Sequence, residues 1–143
     1  MHQQIEKIPR SARSASRVSF REITFNDLEA ILELLCEGFP RRTYQYWQEA
    51  LARLTERPLV AGFPRYGYLL EAEGQPQGVL LLLTAVVDSA VRSNLSSWYV
   101  RQPYRGFATQ LVQLATRTRG ATYLDLTPAP KVLPIVEALG FKP

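Results

Sequence analysis

Histidine and cysteine are nearly absent from this chain. Among 143 residues there is one histidine, His2, and one cysteine, Cys36. A lone thiol cannot close an internal disulfide or build a thiolate cage. A lone imidazole near the N-terminus cannot complete a Ser-His-Asp, Cys-His or histidine-bearing zinc site. Any chemistry must therefore use carboxylates, hydroxyls, phenols, backbone groups or the substrate itself, and no metal is expected. Long apolar runs are lacking too. The most continuous, Val79 to Val87, is interrupted by Thr84 and falls far short of the ~20 residues needed to cross a membrane as a helix. It reads as a buried strand. Residues 1–17 contain Ser and Arg but no apolar centre, so they do not form a secretory signal. They are expected to be a flexible tail. With no disulfide, signal or membrane span, the expected compartment is the cytoplasm.

No block of like charge stands out either. The formal charge is +4, which favours anionic partners by steering. The arginines are dispersed, however, and a solvated basic surface explains them equally well. With no groove-reading helix or stacking signature, nucleic acid is not the expected partner.

The remaining 126 positions, 18–143, read as one α/β domain. Val18 to Ile23 alternates as a strand. Asn26 and Glu29 have capping-box spacing before a helix bearing Leu28, Ile31, Leu32 and Leu35, which Gly38 and Pro40 end. A second helix, Thr43 to Leu54, carries Tyr44, Trp47, Leu51 and Leu54 on one face. Tyr66–Glu73 and Gln77–Val87 form a hairpin around Gly74-Gln75-Pro76, and Val91–Val100 is a further strand beyond a turn at Asp88-Ser89. A helix from Phe107 to Gly120, a strand over Ala121–Leu126 and a last helix bearing Val132, Ile135, Val136 and Leu139 complete the order. The strand–helix–strand crossover from Val91 to Leu126 predicts a parallel pair.

That crossover contains the most informative segment. The strand ending Trp98-Tyr99-Val100 enters a short basic loop, and a helix begins after Arg105-Gly106. The first turn of a helix offers unpaired backbone N–H groups at its positive end, which attract phosphate. Gly106 permits close approach and Arg105 can add a charge-assisted contact. A diphosphate cradle is one reading; an ordinary loop with a solvated arginine is the other.

The element order and these residues resemble the GNAT acyltransferase superfamily. Tyr104-Arg105-Gly106 matches its coenzyme A signature, and in its Gln/Arg-x-x-Gly-x-Gly/Ala diphosphate motif Arg105, Ala108 and Gln110 occupy the first, first-glycine and last positions. Ile135 to Phe141 resembles its Phe-Tyr-x-x-x-Gly-Phe helix ending. The resemblance implies a GNAT-like mixed central sheet flanked by helices, with acetyl-CoA or another acyl-CoA as co-substrate and a small-molecule or peptide amine as acceptor. The pantetheine arm would run along Trp98, Tyr99 and Val100, and the diphosphate would sit on Arg105, Gly106, Phe107, Ala108, Thr109 and Gln110. The thioester would lie where the parallel strands part, in keeping with ligand placement at the carboxyl ends of such strands.

The usual catalytic pattern is not matched. Val136 stands where the family often has a proton-donating Tyr, and Ala129-Pro130 replaces an upstream Asn. The strand before the loop offers Asn94, Ser96 and Ser97, which orient water but are poor bases. Candidate catalytic groups are Ser97, Tyr99 and Asp125; Tyr123 is a further phenol near the cleft, and Tyr44, Tyr46 and Trp47 lie where relatives often build an acceptor pocket. Each has an ordinary structural alternative in strand pairing, turn formation or core packing. The family's domains continue with two more strands beyond Gly-Phe, whereas this sequence stops at Pro143. The expectation is a fold lacking those strands, with an open edge at Ala121–Leu126 that favours a homodimer. An acyl-CoA-dependent N-acetyltransferase is the expected function, and a non-catalytic acyl-CoA-binding module is the alternative.

Overall fold

The computed structural model describes residues 17–125; the expected tail up to position 16, and the segment from 126 onward with Val136 and the Gly140-Phe141 ending, lie outside the described residues. The elements are β1 (Ser19–Glu22), α1 (Leu28–Gly38), α2 (Tyr44–Glu56), β2 (Gly67–Ala72), β3 (Gln75–Val87), β4 (Ala90–Val100), α3 (Ala108–Ala115) and β5 (Ala121–Leu124). Short 3-10 turns at Phe25–Asp27 and Gln102–Phe107 precede α1 and α3. The five strands lie in sequence order. Neighbours are antiparallel except β4 and β5, which are parallel as the crossover predicts.

The apolar run of β3 separates two cores. Val79 and Leu81 face α1 and α2, packing with Leu69, Ile31, Leu35, Trp47, Leu51 and Leu54. Leu80 and Leu82 face α3, packing with Leu70, Leu95, Val100, Leu111, Val112 and Ala115. A strand covered on both faces loses the polar alternation of a half-exposed one, which accounts for its sequence. Each fully buried leucine contributes about 2–3 kcal/mol of transfer free energy.

Several boundaries differ from the sequence reading. The β2–β3 turn is Glu73-Gly74, both with positive φ (55° and 76°), as is Asp88-Ser89 between β3 and β4 (51° and 66°). Two left-handed residues in succession match the right-handed twist of a tight hairpin. β3 consequently begins at Gln75 and includes Pro76, beside a bulge where Leu70 pairs with Gly78 but Glu71 with Pro76. A bulge tolerates the missing N–H of proline. On α2, Trp47 is buried as expected but Tyr44 is 54% exposed. α3 is shorter than expected at both ends: a 3-10 turn occupies Arg105-Gly106, and the Thr116 hydroxyl donates to the Val112 carbonyl at 2.9 Å beyond its last residue. Among the described residues no helix is long and apolar enough to cross a membrane.

The start of α1 also differs. The capping interaction uses Thr24 and Asp27 rather than Asn26 and Glu29. The Thr24 backbone N–H donates to Asp27 Oδ2 at 2.7 Å, and its hydroxyl to the same oxygen at 2.9 Å. Arg21 donates to both Asp27 oxygens at 2.8 and 2.9 Å and to Glu71 Oε2 at 3.1 Å. This ties β1, β2 and the entrance of α1 together. The Arg21 hydrogen bonds hold the Asp27 carboxyl well below the usual carboxylate range. Its stabilising effect is therefore present above the unfolded value of about 3.9 and is lost as pH falls below it. Between pH 5 and pH 3, urea midpoints are expected to fall more steeply for the natural protein than for Asp27→Asn. Parallel declines would remove Asp27 as the source.

Candidate functional site

The site begins where β4 loses one of its neighbours. β4 pairs with β3 from Val87↔Ala90 to Gly78↔Val100, over its full length. With β5 it pairs only from Val91↔Ala121 to Asn94↔Leu124. Among the described residues, Leu95 to Val100 is therefore held in ladders on one side only. A bulge lies at the departure point: Leu82 pairs with Leu95 and Leu81 with Ser97, leaving Ser96 as the extra residue. Bulges bend a strand and disrupt local pairing. Among the described residues, no strand meets the β5 side of β4 beyond Asn94.

The turn at the end of β4 is fixed from several directions. Trp98, Tyr104, Phe107 and Ala108 pack against the α3-side core. The Arg101 N–H donates to the Gln77 carbonyl, and the Tyr104 N–H to the Arg101 carbonyl, both at 2.9 Å. Arg105 Nε donates back to the Val100 carbonyl at 3.1 Å. No protein partner is present for the two terminal amino groups of Arg105 among the described residues. A guanidinium anchored through Nε and open at its fork suits a phosphate.

Gly106 has no positive φ, and a Cβ built there would meet nothing within 4 Å. Neither backbone strain nor protein packing requires glycine here. A side chain would instead fill open space above the turn, so the place fits a ligand that approaches the backbone closely. The amide supply is smaller than the sequence reading expects, because the Ala108 N–H already donates to the Arg105 carbonyl. Thr109 and Gln110 follow in the first turn of α3, where α geometry supplies no acceptor for the N–H groups.

The candidate catalytic groups are placed as follows. Ser97 is buried opposite Leu81. Asp125 stands one residue past the last paired position of β5. Tyr99 packs on the α1 side, with its ring against Gly38, where any Cβ would collide with it. Its O–H donates to Glu37 Oε2 at 2.6 Å. Burial first, and then this bond, raise the Tyr99 phenol above its ordinary range. It is a neutral donor already engaged by a carboxylate. Tyr123 O–H donates to the Thr118 carbonyl at 2.9 Å, a structural bond that secures the loop before β5. Tyr44 lies apart from these residues, along an open groove of about 440 Å³ between α1 and α2 with Phe25, Leu28 and Leu51.

Glu37 was not anticipated from sequence. It lies on the last turn of α1, and a lone exposed glutamate near a helix end carries no signal. Arg101 donates to it through Nε (3.1 Å to Oε2) and a terminal nitrogen (3.0 Å to Oε1). Arg101 first, then Tyr99, hold the Glu37 carboxyl below its usual range.

No protein-family model and no curated protein matches the sequence. Solved structures do match in fold. An aminoglycoside N-acetyltransferase, AAC(6')-Iy, in complex with CoA superposes with a TM-score of 0.68 at 17% identity, covering 88% of each chain. Arabidopsis thaliana Naa50, in complex with the bisubstrate analogue CoA-Ac-MVNAL, gives 0.64 at 18%, covering 88% of this chain and 83% of that one. A structure described as a transcriptional regulator from Bacillus halodurans C-125 gives 0.64 at 21%, covering 87% and 93%. The chain has the fold of the GNAT superfamily.

Because a Cβ at Gly106 would meet nothing within 4 Å, Gly106→Ala is expected to keep the stability of the natural protein within about 0.5 kcal/mol in urea unfolding. A larger loss would show that the glycine serves the fold rather than the open space above it.

Proposed function

We propose that this protein is an acyl-CoA-dependent acyltransferase, an N-acetyltransferase that uses acetyl-CoA to acylate an amine. The observation that carries the reading is a conjunction within one short stretch of chain. Beyond its last described pairing with β5 at Asn94, β4 bulges at Ser96, and five and six residues past its end come an open-forked Arg105 and an uncovered Gly106. Backbone from Leu95 to Val100 would align the pantetheine arm as an added strand. Arg105, Gly106, Phe107, Ala108, Thr109 and Gln110 would hold the diphosphate. The known fold-mates crystallised with CoA or a CoA-linked analogue support this use of the fold.

When bound, the coenzyme supplies an acyl group activated as a thioester. The chain's own contribution is mainly positional, since holding two reactants in register can supply several kcal/mol of a barrier. Asp125, beside the parting strands, is the candidate for holding a cationic amine, and Ser97 for ordering polar groups beneath the cleft. Tyr99 is the weaker candidate for protonating a departing thiolate, because its proton already serves Glu37. That engagement favours a second reading, a module that binds acyl-CoA without turning it over.

Calorimetry with coenzyme A and acetyl-CoA, followed by thiol release against an amine panel, tests the two readings. Saturable binding with thiol release supports the transferase. Binding without turnover by any amine supports the module, and no binding defeats both. Gly106→Asp is expected to abolish binding with the melting temperature unchanged, because its carboxylate would enter the phosphate space.

A further inference from the structure

We infer that Glu37 is a positioning residue for the coenzyme A turn, acting through Arg101; the inference rests on the coenzyme reading above. The β3–β4 ladder ends at Gly78↔Val100. Beyond it, the chain must be held in place before it can present Arg105 and Gly106. Arg101 does this as the residue that opens the 3-10 turn, since its carbonyl accepts the Tyr104 N–H. Its backbone is tied to the Gln77 carbonyl and one terminal nitrogen to Gln77 Oε1 at 3.1 Å. The remaining face of the guanidinium is closed by Glu37, which accepts from Nε and from the other terminal nitrogen.

Glu37 itself is aligned by two further contacts. The Tyr99 O–H donates to it from β4, and Tyr99 is pressed against Gly38, the next residue of α1. One carboxylate thus joins the end of α1 to β4 on either side of Val100. The two side chains are partly exposed, 44% for Glu37 and 33% for Arg101. An exposed pair adds little to global stability, so the consequence of this bond is local: it fixes where the turn starts. It also occupies Arg101, so that, of the two arginines at the turn, Arg105 is the one with an open fork among the described residues.

The test compares Glu37→Gln, Tyr99→Phe and Arg101→Gln with the natural protein by calorimetric titration of coenzyme A, with melting temperatures measured in parallel. Arg21→Gln, in the distant β1 cluster, reports general loosening. Glu37→Gln is expected to weaken coenzyme A binding about fivefold, with a melting temperature close to that of the natural protein. The double variant Glu37→Gln/Arg101→Gln should bind no more weakly than Arg101→Gln alone, because both changes remove the same link. Where turnover is measurable, Glu37→Gln should raise the KM for acetyl-CoA with kcat unchanged. Affinity within twofold of natural in Glu37→Gln, additive losses in the double variant, or an equal loss in Arg21→Gln would each overturn the inference. Failure of the natural protein itself to take up coenzyme A would overturn the proposed function and this inference together, and is seen before any variant is compared.

Discussion

The whole site depends on the unequal support of β4. Along one side it is paired with β3 over its entire length; along the other, among the described residues, it meets β5 over four residues. The first condition makes it rigid, since β3 is buried in both cores and cannot shift without disturbing either. The second leaves the β5-side backbone groups of Leu95 to Val100 without a strand partner among the described residues, and such groups take their partner from protein, solvent or ligand. A strand that met β5 throughout would have no groups to offer. One that lacked β3 would have no fixed geometry. The bulge at Ser96 reconciles the two, bending β4 where β5 is left behind while returning Trp98 and Val100 to the α3-side core.

The turn that follows is built by a division of labour among similar residues. Trp98, Tyr104 and Phe107 anchor it by apolar contact. Arg101 and Arg105 are both cationic and four positions apart, yet their roles differ by their partners. A carboxylate and an amide close Arg101. A carbonyl holds Arg105 by Nε alone. Charge density in the sequence does not separate them; the position of α1 does.

Much of this was legible from sequence because it follows from periodicity. The apolar run of β3, the 3.6-residue spacing of Ile31 and Leu35, and the crossover between β4 and β5 are local patterns with few structural solutions. The Tyr104-Arg105-Gly106 motif located the turn. The misses share a different cause, competition among neighbouring polar groups. Asn26 and Thr24 are both plausible caps, and Arg21, fifty positions from Glu71, decided between them by recruiting Asp27. Glu37 was invisible because its meaning comes from residues sixty-two and sixty-four positions away. Pro76 read as part of the hairpin turn because the bulge that admits it to β3 is a property of strand pairing.

The same long-range contacts bear on how chemistry could proceed. A phenol donating to an ionised glutamate, itself held by arginine, is an arrangement that favours the neutral phenol and the charged carboxylate. The lowered Glu37 carboxyl is a weaker base than an ordinary glutamate, and the raised Tyr99 phenol a weaker acid than an ordinary tyrosine. The cluster is therefore better suited to fixing geometry than to moving protons. For acyl transfer from a thioester this is a limited handicap. The leaving group is intrinsically good, and an amine arriving unprotonated needs chiefly to be placed within reach of the carbonyl. A site whose polar groups are spent on the shape of one strand end and its turn can still promote such a reaction, provided the acceptor brings the nucleophile and solvent takes the proton.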